Sequence, residues 1–204
     1  MVAIKVCGLT RVADAALAAD LGASAIGFVF WENSPRFVTP SVAARIRSVL
    51  PSHVAAVGVF VNSSRGRIEE VTSEVGLTAI QLHGEETVEF CESLSGDVIR
   101  AVTLDHENDL QGLVELPESI TLLLDAHDPV RRGGTGRVVN WTLAARLAAR
   151  RRLFLSGGLK ADNVAEAVRM VKPYGVDVSS GIESQAGVKS RQRLESFFSA
   201  IAEA

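Results

Sequence analysis

Cysteine is scarce in this chain: two in 204 residues, Cys7 and Cys91. One falls on an expected strand and the other on an expected helix, which makes no disulfide framework, so a reducing compartment suits the chain. An excess of one charge sign is lacking too. Lysine and arginine number 21, aspartate and glutamate 24, for a net charge of −3. No basic run could track a nucleic-acid backbone, and nucleic acid is not an expected partner. No apolar run approaches the roughly 20 residues that span a bilayer, and no basic segment leads into an apolar one at the N-terminus. A membrane is not expected either, and the reading is a cytoplasmic protein. His, Asp and Glu do not cluster at metal-ligand spacing, so neither metal nor cofactor is expected.

What the chain does have is apolar content, 47% of residues, in an alternating pattern. Short runs rich in Val, Ile and Leu suit strands covered on both faces: 2–7, 25–30, 54–61, 79–83, 98–102, 121–125, 153–155 and 176–179. Between them lie segments whose apolar residues recur three and four apart, at 11–21, 41–49, 65–75, 86–94, 142–149, 163–171 and, closing the chain, 189–202. The segment 107–117 is the weakest helix, interrupted by Gly112 and Pro117. Eight βα units of about 25 residues predict one α/β domain over 1–204, a (β/α)₈ TIM barrel. An open doubly wound sheet is the competitor, but that usually has five or six strands.

A barrel of this kind turns the C-terminal ends of its strands toward the catalytic mouth. Those ends carry Cys7, Gln81 with His83, Arg100, Asp125, and Asp177 with Ser179. Taken alone, Cys7 reads more readily as a small buried hydrophobe. Asp125 is a stronger signal: it follows TLLL directly, so an apolar strand delivers a carboxylate to the rim, although a helix or loop cap is the plain alternative. Two glycine turns, SGGL (Ser156–Leu159) and SSGIE (Ser179–Glu183), follow the seventh and eighth strands, where barrels commonly bind a phosphate on backbone N–H groups. A third, RRGGTGR (Arg131–Arg137), lies in the longest loop and reads as a lid over bound ligand.

The motifs KVCGLT, SPRFV (Ser34–Val38), VGVFVN, IQLHG (Ile80–Gly84), LLLD followed by GGTGRVVNW, LSGGL and GVDVSSGIE occur in order along nearly the whole chain. In this combination the sequence resembles the phosphoribosylanthranilate isomerase family of tryptophan biosynthesis. The resemblance implies a (β/α)₈ barrel without cofactor or metal. It also implies an Amadori rearrangement of N-(5-phosphoribosyl)anthranilate to 1-(2-carboxyphenylamino)-1-deoxyribulose 5-phosphate, so the expected partner is a small phosphoribosyl substrate. Carried over by motif, Cys7 resembles the general base, Asp125 the general acid and Arg36 the residue facing the anthranilate. Gly157, Gly158, Ser180 and Gly181 resemble the phosphate site, with Gly134 in the glycine segment over the ligand. His83 is placed beside the substrate as a hydrogen-bonding group. Asn140 departs from the aspartate often found before the tryptophan of the GGTG segment, and a helix cap is its expected role.

Such a reaction needs an acid to open the ribose ring and a base to take the C2′ proton. A buried thiol resists ionisation, so Cys7 needs a cationic neighbour; Lys5, two residues back on the same strand face, is the candidate. Strand eight closes against strand one, which makes Asp177 the expected partner of Lys5. Phe30, Trp31 and Phe37 could flank the anthranilate ring, and Trp141 is assigned to packing. A monomer is the expected state. Two other readings stay open: a different phosphosugar barrel, against which Cys7 argues because the related dual-substrate isomerases use an aspartate pair, and a non-catalytic phosphate-binding or receiver-like module. A receiver would need clustered acidic residues after its first strand, and KVCGLT has none.

Overall fold

The computed structural model describes residues 2–126 and 139–204. The glycine segment Arg131–Arg137, with Gly134, lies outside the described residues. Eight parallel strands close into a barrel in chain order: β1 (Ala3–Cys7), β2 (Ala25–Val29), β3 (Ala55–Phe60), β4 (Ala79–Leu82), β5 (Asp97–Val102), β6 (Ile120–Leu124), β7 (Leu153–Leu155) and β8 (Gly175–Val178), with β8 paired back onto β1. Helices follow them: α1 (Val12–Asp20), α2 (Pro40–Arg47), α3 (Arg65–Val75), α4 (Val88–Ser93), α5 (Asp109–Val114), α6 (Trp141–Ala148), α7 (Val164–Val171) and α8 (Arg191–Ala202).

Side-chain alternation along a strand divides the apolar residues between two cores. One set, including Val6, Ile26, Phe28, Phe60, Leu82, Leu122, Leu155 and Val178, faces outward and packs on the helices. The other fills the barrel. At its base Ala25, Val57, Ala79, Ile99, Leu123 and Phe154 form a small apolar cluster, and a Cβ on Gly175 would lie 2.4 Å from Phe154 Cε1, so that glycine makes room for the ring. Higher up, the inward positions become polar: Lys5, Gln81 and Asp177, then Cys7, His83, Asp125 and Ser179. The barrel is apolar and packed below, and open above.

Capping residues set several helix starts, each accepting a bond from a first-turn N–H that has no helical partner. Thr39, Ser64, Thr87 and Ser190 do this for α2, α3, α4 and α8. Asn140 does it twice for α6, its Oδ1 accepting from Thr142 and Leu143, which is the cap role expected of it. The weak segment at 107–117 does form a helix, α5, shorter than drawn. The last helix, drawn from 189, begins at Arg191, and ahead of it Glu183–Gln185 (β9) and Val188–Lys189 (β10) make an antiparallel hairpin that was not expected. Gly187 takes φ +79° at the turn, a conformation that favours glycine, and Ser190 rather than Lys189 caps the helix.

Candidate active site

Backbone register brings the polar residues together. Lys5 lies beside Asp177 across the β1–β8 seam, and its Nζ donates to Asp177 Oδ1 at 2.7 Å with the ammonium fully buried. The pairing expected from strand closure is therefore present. On the other side of Cys7, the register places Gly27 of β2. A Cβ there would sit 2.8 Å from Cys7 Sγ and 3.2 Å from Lys5 Nζ, so the absence of a side chain leaves space for the thiol and ammonium to lie together.

Above this layer opens a cavity of about 420 Å³ lined by Cys7, Arg36, His83, Asp125, Ser156, Asp177 and Ser179, with Trp31 at its edge. Trp31 is thus placed to meet a ligand ring. Phe30 is not: it stacks on Phe60 at 5.2 Å in the outer core. Phe37 is half-buried and does not line the cavity. Arg100, although on β5, is also absent from the lining.

Asp125 follows β6 and is 7% exposed. Burial, reinforced by the negative charge of Asp177, pushes its carboxyl up from 3.8 to about 6 against the opposing bond from Ala126 N. His83 Nε2 stands 3.6 Å from Asp125 Oδ2, and its Nδ1 is 3.1 Å from Gln81 Nε2. His83 thus stands beside Asp125. Cys7 departs from expectation. Lys5 and Lys189 both favour the thiolate, but burial outweighs them and holds the thiol above its ordinary value of 9.0. Lys5 limits the rise without producing a standing thiolate.

The two glycine turns follow β7 and β8, and the serine that opens each, Ser156 and Ser179, lines the cavity. Gly157 and Gly158 take φ +83° and +67°, both favouring glycine, and their N–H groups make no hydrogen bond among the described residues. Ser180 and Gly181 open a 3₁₀ turn, Ser180–Ile182. A Cβ on Gly181 would overlap Leu159 O, so the two turns touch only because that residue is glycine. Ser156 Oγ lies 3.4 Å from Asp177 Oδ2.

Several features of the site escaped the sequence reading. Gly27 is one. Glu183 and Lys189 are two more: Glu183 takes both Nε and Nη2 of Arg36, at 2.9 and 2.7 Å, and Lys189 Nζ lies 2.9 Å from Glu183 Oε1. Gln81 Oε1 and Ser179 Oγ are buried at the cavity without a hydrogen-bond partner among the described residues. An unpaired buried oxygen is costly, which suits atoms that meet a polar ligand. Among the described residues no group of three or more His, Cys, Asp or Glu could hold a metal ion, and no helix is long and apolar enough to cross a membrane.

A closed parallel barrel with an acid raised toward neutrality, a buried thiol and two glycine turns at strands seven and eight belongs to the class of phosphate-binding (β/α)₈ enzymes. Comparison narrows it. The model of the family described as N-(5'-phosphoribosyl)anthranilate isomerase matches residues 4–200. The isomerase of that name from Pelobacter propionicus is 46% identical over 97% of this chain and 94% of its own length. That from Pseudomonas putida is 43% identical over 98% and 97%. The crystal structure of the Thermotoga maritima enzyme superposes with a TM-score of 0.93 at 39% identity, covering all of both chains. A structure titled as phosphoribosyl anthranilate isomerase with reduced 1-(o-carboxyphenylamino)-1-deoxyribulose 5-phosphate superposes at 0.89, with 38% identity over all of both chains. This chain belongs to the N-(5'-phosphoribosyl)anthranilate isomerase family, the aldose–ketose isomerases of tryptophan biosynthesis.

Proposed function

We propose that Cys7 and Asp125 are the base and the acid of the Amadori rearrangement of N-(5'-phosphoribosyl)anthranilate, on a substrate held at its two ends. The substrate's phosphate lies on the N–H groups of Gly157, Gly158, Ser180 and Gly181, and its anthranilate carboxylate on Arg36. Asp125 in its protonated form gives a proton to the ribose ring oxygen as the C1′–O bond breaks, leaving an iminium at C1′. Cys7 as thiolate then takes the C2′ proton, and the electron pair of that bond forms the enolamine. Tautomerisation puts a proton on C1′ and yields the ketose. Asp125 is left ionised by the first step, beside His83. Gly134 is assigned to cover the ligand. One chain supplies every residue named here, and a monomeric barrel of a single domain is sufficient for the reading.

The observation that carries it is the Asp125 carboxyl raised to about 6 at the mouth that Cys7 also lines, because an acid of ordinary strength would be ionised throughout the neutral range. The test is loss of substrate fluorescence with freshly made phosphoribosylanthranilate. Wild-type protein should consume it, and Cys7→Ser or Asp125→Asn should each lower kcat by at least about 10²-fold with the circular dichroism spectrum unchanged. Near-normal turnover in either folded variant removes that residue from its role.

A further inference from the structure

Arg36 comes from the loop after β2, yet it is held from the far side of the chain. Its Nε and Nη2 donate to Glu183 Oε1 and Oε2 in a two-bond fork. Glu183 is itself seated by Lys189, whose three ammonium protons all have acceptors: Cys7 O at 2.6 Å, Glu183 Oε1 at 2.9 Å and Ser179 O at 3.2 Å. The Lys189 N–H donates to Asp14 Oδ2 on α1, and Gly187 N donates to Glu183 Oε1. Gly8 completes the seat from the other side. A Cβ there would lie 2.4 Å from Arg36 Cδ, so the arginine stem passes over a residue with no side chain.

The hydrogen-bond arithmetic of the guanidinium leaves one edge open. It has five N–H donors. Glu183 takes one on Nε and one on Nη2, and Nη1 makes no hydrogen bond among the described residues. The Nη1–Nη2 edge can therefore grip a second carboxylate while the first holds the group in place, and Arg36 lines the cavity. A buried ion triad of this kind contributes little net stability compared with apolar packing of similar volume, so its position against the cavity calls for another role.

We propose that Glu183 and Lys189 are positioning residues that hold the Arg36 guanidinium with its free edge toward the substrate's aromatic carboxylate, making the β9–β10 hairpin a selector for carboxylated substrates. This rests on the reading of Arg36 as the carboxylate anchor. The hairpin acts through orientation: a guanidinium already fixed loses little rotamer freedom when the carboxylate arrives. The selection is against phosphoribosyl amines whose ring carries no acid group, for which the oriented edge would be left unpaired.

The experiment compares kcat/KM for phosphoribosylanthranilate and for N-(5-phosphoribosyl)aniline, the same molecule without the carboxylate, in wild type, Glu183→Gln, Arg36→Met and the double variant. Glu183→Gln should lose about 10- to 100-fold with the carboxylated substrate, chiefly through KM, and under about 3-fold with the aniline compound. In the Arg36→Met background it should add nothing further. Equal losses on both substrates, or additive losses in the double variant, overturn the proposal. If Arg36→Met alone leaves kcat/KM for phosphoribosylanthranilate unchanged, the anchor reading falls and the proposal with it. If Arg36→Met falls and Glu183→Gln does not, only the positioning role fails. Should Glu183→Gln not fold, Glu183→Asp keeps the charge with a shorter stem. It should show the same selective loss, and an equal loss on both substrates would again overturn the proposal.

Discussion

Asp125 and Cys7 are both shifted in the direction that burial dictates, and together the shifts set an unusual protonation pattern. The acid loses its proton near pH 6 and the thiol only above 9.0. The competent form, acid protonated and thiol ionised, is then a minor species in the free protein. Its population is nevertheless level between the two values and falls outside them. The kcat/KM profile should therefore rise to a plateau beginning near pH 6 and fall only on the far alkaline side. Lys5 holds the alkaline limb from moving higher, so Lys5→Met should raise the pH at which a thiol reagent attacks Cys7; an unchanged thiol titration in the folded variant would remove Lys5 from that role. The Lys5–Asp177 contact was readable from the sequence because strand eight must meet strand one. The balance between Lys5 and burial was not, since it depends on how completely the helices and loops close over the thiol. Gly27 was equally hidden: it reads as an ordinary strand residue until the register puts it opposite Cys7. Gly27→Ala should fold but press on the thiol and the ammonium, lowering kcat with a smaller change in KM, and an unaffected kcat would show that the space is not needed.

At the scale of elements, the barrel closes with help from a residue the sequence leaves unremarkable. Arg151, 7% exposed, donates to five main-chain oxygens: those of Leu113, Val114, Leu116, Pro117 and Ile120. These carbonyls lie at the end of α5 and along the turn into β6, the strand that precedes Asp125. One guanidinium thus adds to the Glu115 N–H bond to Gln111 O at the C-terminal end of a short helix that contains Gly112 and is followed by Pro117. Arg151→Met keeps most of the stem and removes the donors. It should cost about 2–4 kcal/mol, because several buried carbonyls lose their partners, and a thermal midpoint within about 1 °C of wild type would contradict this. The strands, most helices and the Asn140 cap were legible because periodicity and capping are local. The β9–β10 hairpin was not. Its residues 183–189 lead into α8, and the contacts of Glu183 and Lys189 with the barrel rim, which help hold the hairpin, join residues far apart in the chain.

For the whole molecule, the raised Asp125 carboxyl links stability to pH with a definite sign. Its folded value, about 6, lies above its ordinary 3.8, so between those values the folded protein binds more protons than the unfolded chain. Stability contributed by this group is present below about pH 4 and is lost as pH rises toward 6. Carboxylates such as Glu183, which burial would raise but which Arg36 and Lys189 draw below the ordinary range, act in the opposite sense. Asp125→Asn removes the first contribution alone. The variant should gain stability relative to wild type as pH rises from about 4 to 6, read from denaturant midpoints, and a constant difference across that range would show that the carboxyl is not raised. On the proposed role of Asp125, its environment is a cost to the fold that would serve the reaction.

The assignment of Asp125 to ring opening and Cys7 to proton removal is tested most directly by the kinetic isotope effect on kcat with substrate deuterated at C2′. In Cys7→Ser, breaking the C2′–H bond should become limiting, and the effect should rise well above that of wild type. In Asp125→Asn, ring opening should limit turnover and the effect should fall to near unity. The reverse pattern, a large effect in the Asp125 variant and none in the Cys7 variant, would contradict the account.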